Sequence, residues 1–157
     1  MSDICPQCGA ALRAGERCRE RFDVAQAREL EDPAYGAVHH LSVPCYMLQH
    51  NAYSRDGWLY SRALLARFVE GLSPDAARRQ HRRDVDSGRR AWSITKGDKL
   101  AGVDGIAWTR TIADVRLDTP EHYCADVRAW AASVLADTAD LARAAGGEGD
   151  LGTDTGR

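Results

Sequence analysis

The sequence predicts a mainly α-helical, compact domain with a short zinc-knuckle hairpin at its N-terminus and an irregular segment before the last helix. Three observations carry this. Apolar residues recur at helical spacing in residues 57–70 and again after Thr119. Helix-start signals, Ser73-Pro74-Asp75 and Thr119-Pro120-Glu121, place a capping hydroxyl, a first-turn proline and an acid in order. The chain opens on Cys5-Pro6-Gln7-Cys8-Gly9, two thiols spaced to grip one side of a soft divalent ion, with a glycine that lets the backbone turn beneath them.

At 157 residues one domain is expected over residues 1–145, followed by a disordered tail over 146–157, where Gly and Asp replace apolar residues. Hydrophobic residues at 44% and charged residues at 28% fit a soluble globular chain, and no apolar run approaches the roughly 18–20 residues of a membrane span. The N-terminus lacks a basic and then apolar targeting segment, so the cytoplasm is the expected location. There the five cysteines stay reduced, which favours metal over disulfides. A formal charge of −2 provides no general attraction to nucleic acid or anionic lipid.

Residues 1–20 read as a metal-organised hairpin. A first helix follows, with Asp23 as N-cap and Gln26 as its capping-box partner, and Glu31-Asp32-Pro33 ends it. A turn or short helix is expected over His39 and His40. Pro44 argues against one straight helix there, so a new helix is expected to start near it, capped by Ser42 or Val43. That helix should turn Val43, Met47 and His50 inward and leave Gln49 off the face. In residues 57–70, Trp58, Leu65, Phe68, Val69 and Leu72 share a stripe, and Gly71 ends the helix. The next helix, 74–91, is strongly charged and should face water. Gly97, Gly102 and Gly105 punctuate 93–118, which reads as extended or irregular. The final helix should bury Tyr123, Val127, Trp130, Ala131, Val134, Leu135 and Leu141.

The candidate metal is Zn2+, and its candidate ligands are Cys5, Cys8, Cys18, His39 and His50. A structural zinc takes four Cys or His ligands. Cys18 is followed by Arg19, Glu20 and Arg21, so the second Cys-x-x-Cys of a zinc ribbon is missing and at least one ligand must come from farther along. Cys45 and His50 lie five residues apart, about 140° around a helix, and should not share an ion. His39 and His50 are nearly in phase but about 16 Å apart on a straight helix, so both could serve only if the chain bends at Pro44. His40, adjacent to His39, and Cys45 rank below these. Cys124 is expected to be packed, and His81 and His122 to lie at the surface.

Several of these residues also carry a resemblance. The Cys-Pro-Gln-Cys-Gly-Ala start, the isolated Cys18, Asp32-Pro33-Ala34-Tyr35, His39-His40-Leu41-Ser42-Val43, Tyr46, Gln49-His50 and Trp130-Ala131 together resemble an uncharacterised bacterial family, a domain of unknown function, over roughly residues 5–135. The resemblance implies that His39 rather than His40 is the recurrent histidine. The chain departs from the family at Pro44, often acidic there, and at Cys45, often small. The resemblance implies no reaction.

Three function classes follow. The first is a closed structural zinc site in a protein that acts through an unidentified protein partner or as a regulator. The second is a hydrolase-type enzyme with an open zinc position. Glu29 and Glu31 could serve it as bases, but no His-Glu-x-x-His spacing is present. The third is a nucleic-acid-binding zinc protein using Arg78, Arg79, Arg82, Arg83, Arg89 and Arg90. Asp84 and Asp86 interrupt that run, and no zinc-finger His pair accompanies it, so only weak binding is expected. The oligomeric state is open.

Overall fold

The computed structural model describes residues 3–86 and 94–146. Over them the chain is helical, apart from one small hairpin and an irregular stretch before the last helix. In the hairpin, β1 (Asp3–Ile4) pairs antiparallel with β2 (Ala11–Leu12), Asp3 opposite Leu12 and Ile4 opposite Ala11. Strands this short have little stability alone. Gly9, at φ +76°, makes the turn, and its N–H bonds the Cys5 carbonyl at 2.9 Å.

The first helix, α1 (Cys18–Glu31), starts five residues before the expected Asp23 cap. Glu20 ties the start one turn earlier, accepting from the Arg17 N–H at 3.1 Å. Asp23 instead pairs with Arg19 along the exposed face, and Gln26 turns toward Glu29 and Ser42. The buried phase runs Cys18, Phe22, Ala25, Glu29, so the helix carries Cys18 on its inward side. Asp32 ends α1 and caps the short α2 (Pro33–Gly36), its carboxylate accepting from Ala34 N–H at 2.9 Å. Gly36 is required there, because a Cβ would lie 2.8 Å from the Glu29 carbonyl oxygen.

The main departure from expectation is α3 (His39–Gln49), which runs unbroken through Pro44. Pro44 lies in the second turn, where its missing N–H forfeits a single bond, the one to His40. Burial of Leu41, Ser42, Cys45, Tyr46, Leu48 and Gln49 outweighs that loss. At its end the Ala52 N–H bonds the Met47 carbonyl at 3.1 Å and the Asn51 N–H bonds Leu48 at 3.3 Å, with Asn51 left-handed at φ +48°. This Schellman closure makes His50 the capping residue. Met47 and Val43 are only half-buried, whereas Gln49 is buried, the reverse of the expected facing.

Helix α4 (Arg55–Val69) is capped by Ser54, whose hydroxyl accepts from Gly57 N–H at 3.1 Å. Trp58 and Leu65 are fully buried, but Val69 is 45% exposed and falls outside the stripe. Gly71, at φ +113°, closes the helix as expected. Helix α5 (Pro74–Asp86) is described to Asp86 and is largely exposed where its side chains are described. The expected continuation to 91, with Arg89 and Arg90, lies outside the described residues. The stretch before the last helix is irregular as expected, with 3-10 turns at Val103–Gly105 and Ile112–Asp114 and no strand among the described residues. Arg21 donates to the Ile112 and Val115 carbonyls at 3.2 and 2.8 Å and pins it to α1. Helix α6 (Pro120–Ala144) starts at Thr119, whose hydroxyl accepts from His122 N–H. Its face Tyr123, Val127, Trp130, Ala131, Val134 is fully buried, while Leu135 and Leu141 sit at its half-buried edge. Of the tail expected over 146–157, all but Gly146 lies outside the described residues.

Helices α3, α4 and α6 pack on one another around Trp58, Trp130, Tyr123, Leu48 and Leu65. The polar edges of the large rings are satisfied: Trp58 donates to the Leu48 carbonyl and Trp130 to the Gln49 side chain. Among the described residues no helix is long and apolar enough to cross a membrane.

Candidate metal centre

Three distant pieces of chain meet at one end of the molecule. The hairpin turn brings Cys5 and Cys8, the first turn of α1 brings Cys18, and the closed end of α3 brings His50. The four ligand atoms all lie within 4.8 Å of one another. Cys8 Sγ is 3.6 Å from Cys18 Sγ, and His50 Nε2 is 3.4 Å from Cys18 Sγ and 3.7 Å from Cys5 Sγ. A tetrahedron with spokes of about 2.0–2.3 Å has edges of roughly 3.4–3.8 Å, the spacing of a Cys3His zinc site. The chemistry and the geometry agree, and these four residues can hold a metal ion.

Each ligand is positioned by its local structure. In the hairpin, Cys5 N–H bonds the Ala10 carbonyl at 3.0 Å, which folds the knuckle back on itself. His50 Nδ1 meets the Tyr46 carbonyl at 2.7 Å; that acceptor requires a proton on Nδ1 and leaves Nε2 for the metal. The ring of His50 stacks on Tyr46 at 4.0 Å, and Tyr46 stacks on Phe22 at 3.9 Å. That three-ring stack runs from the ligand into the core between α1 and α3.

The protons of the cluster are shared. The hydrogen bond from Cys18 holds the Cys8 thiol well below its usual range, against the opposing effect of burial. The same contact, with burial, pushes the Cys18 thiol up. Burial works against charging His50, but hydrogen bonds to Cys8 and to the Tyr46 carbonyl outweigh it and raise the imidazole. A metal held here would require the sulfurs as thiolates and Nε2 without a proton.

The other sequence candidates lie elsewhere. His39, expected as a ligand, is at the opposite end of α3, its Nδ1 2.6 Å from Glu29 Oε2. The unbroken helix is the reason, because without a bend at Pro44 the two histidines stay about eleven residues of rise apart. His40 packs edge-on against Phe68. Cys45 is fully buried, and burial pushes its thiol up. Cys124 donates to the Ala34 carbonyl at 3.3 Å.

Gln49 is the residue that sequence reasoning undervalued. It is buried, accepts from the Trp130 indole at 3.2 Å and donates to the Arg110 carbonyl at 2.7 Å. It thereby locks the end of α3, and the adjacent His50, to α6 and to the irregular segment. The available signal was the Gln-His pairing itself, which helical phase alone had placed off the inward face.

Residues 3–139 match the model of a family of unknown function, DUF5946, and the chain belongs to that family. The matched region contains all four clustered residues. No curated protein and no solved structure matches the chain.

Proposed function

We propose that this member of the family is a zinc-stabilised helical protein in which Cys5, Cys8, Cys18 and His50 hold one Zn2+ in a closed structural site. The observation that supports this is the convergence of three sulfurs and one imidazole nitrogen within 4.8 Å of one another, with three of the separations at 3.4–3.7 Å. Sulfur and imidazole donors suit zinc, and four protein ligands leave no position for an activated water. An enzymatic zinc needs such a position, so the closed donor set favours a structural role over the hydrolase reading. Zinc would join the hairpin to α1 and α3, and the protein would then act through a partner in a reducing compartment such as the cytoplasm.

Metal analysis of variants tests this reading. Purified protein should carry about one zinc per chain. His50→Ala should lose most of it, whereas His39→Ala should retain it. Unchanged stoichiometry in His50→Ala would make His50 a core residue only and refute the four-ligand site.

Nucleic-acid binding should be weak. Arg78, Arg79, Arg82 and Arg83 lie on α5, but Arg78 already pairs with Asp75. Fluorescence anisotropy with duplex DNA should show binding that falls steeply with salt and is indifferent to sequence. A sequence-selective complex that persists at physiological salt would overturn this.

A further inference from the structure

At the far end of α3 from the metal cluster, a carboxylate is buried with every acceptor position in use. The Glu29 side chain is 1% exposed. Its Oε1 accepts from Ser42 Oγ at 2.6 Å and from the Tyr123 hydroxyl. Its Oε2 faces the Gln26 amide at 3.0 Å and His39 Nδ1 at 2.6 Å. An ionised carboxylate offers about four acceptor sites, and these four neighbours fill them. Burial, and the bond to Glu29, push the Tyr123 hydroxyl up, so it remains a donor to the carboxylate.

Of these partners only His39 reaches the outside. Its side chain is 56% exposed. Because Nδ1 carries the proton given to Glu29, Nε2 is the nitrogen presented outward, and among the described residues it has no hydrogen-bond partner. A carboxylate behind Nδ1 is the arrangement that fixes a histidine for work at its other nitrogen.

His39 lines a cavity of about 400 Å³ between α3, α4 and α5. The volume falls in the roughly 300–1,000 Å³ range of small-molecule sites. Val43, Pro44, Leu64 and Phe68 supply apolar wall, and His40, His81 and Arg78 also line it. No carboxylate lines it among the described residues. The cavity thus combines an apolar body, the Arg78 guanidinium, which it shares with Asp75, and one imidazole held from behind by a carboxylate. A neutral alcohol would use the nitrogen but not the Arg78 charge. A carboxylate uses both: with one proton taken up from solvent, a single N–H···O bond joins Nε2 to it without displacing the bond to Glu29.

We propose that this cavity binds a monocarboxylic acid with an apolar chain or ring, its carboxyl group paired with Nε2 of His39 and its apolar part against Leu64 and Phe68. Glu29 is the positioning residue. The site is separate from the metal cluster, and its failure would leave the zinc reading untouched.

Isothermal titration of the metal-loaded full chain with octanoate tests this, with octanol as the neutral comparison. Octanoate should bind saturably at one site, and octanol at least about tenfold more weakly. His39→Ala should weaken octanoate binding about tenfold or more, and Leu64→Trp, which fills the cavity, should abolish it. Both variants must keep wild-type metal content and remain folded at the titration temperature. If His39→Ala unfolds, His39→Gln retains a donor for Glu29 without the imidazole and replaces it. Absence of saturable octanoate binding, equal binding of octanol, or wild-type affinity in either folded variant would each overturn the proposal.

Discussion

A chain carrying both Cys8→Ser and Cys18→Ser is expected to lose its metal and, with it, most of its folding stability. Both side chains are buried, at 2% and 7% exposure, and face each other at 3.6 Å. Structural zinc contributes an apparent 10–16 kcal/mol in small metal-folded peptides, about as much as the 5–15 kcal/mol net stability of a typical domain. The hairpin has two residues per strand, too few to be stable alone, so its docking on α1 is expected to weaken when the ion is removed. Thermal unfolding with and without a strong chelator measures this. Wild type should drop to a much lower Tm on chelation, and the double variant should start low and not respond. A double variant that keeps its metal and its Tm would remove the cluster from the fold's energetics.

The second large effect is expected at Trp130. Its side chain is fully buried, and truncating such a residue to alanine costs about 3–5 kcal/mol. The indole N–H is also the donor to Gln49 Oε1. Trp130→Phe keeps most of the volume but orphans that buried acceptor, at about 1–3 kcal/mol. Urea unfolding should show a lower midpoint in both variants at an unchanged slope, with alanine the more severe. Neither change touches a ligand, so metal content below the transition should stay at the wild-type value. Wild-type stability in Trp130→Phe would show that the bond to Gln49 contributes nothing.

Much of this architecture was legible in the sequence, for identifiable reasons. The apolar face of α6 and its Thr119-Pro120 start depend on local periodicity and capping, which need no tertiary information. The irregular character of residues 94–118 followed from its glycines. The start of α1 was misplaced because Asp23 looks like a cap. The competing link, from the Arg17 N–H to Glu20, is local but begins at an arginine, which is not among the residues favoured at an N-cap. The break expected at Pro44 failed for a related reason: one lost hydrogen bond is small beside the burial that holds α3 straight.

The site was legible in its donors and less so in its geometry. The spacing of Cys5 and Cys8 is a local signal, and the isolated Cys18 pointed to a distant fourth donor. Choosing between His39 and His50 required knowing whether α3 bends. Once it runs straight, only His50 reaches the hairpin, and His39 is left to the buried Glu29. Glu29 stood out only as a candidate base, and its burial could not be foreseen, because its partners come from positions 26, 39, 42 and 123.

X-ray absorption at the zinc edge, on protein purified without added metal, tests the closed Cys3His site most directly. The account predicts four-coordinate zinc with three sulfurs at about 2.3 Å and one nitrogen at about 2.0–2.1 Å. A spectrum showing a water oxygen in the coordination shell, fewer than three sulfurs, or no zinc at all would contradict it.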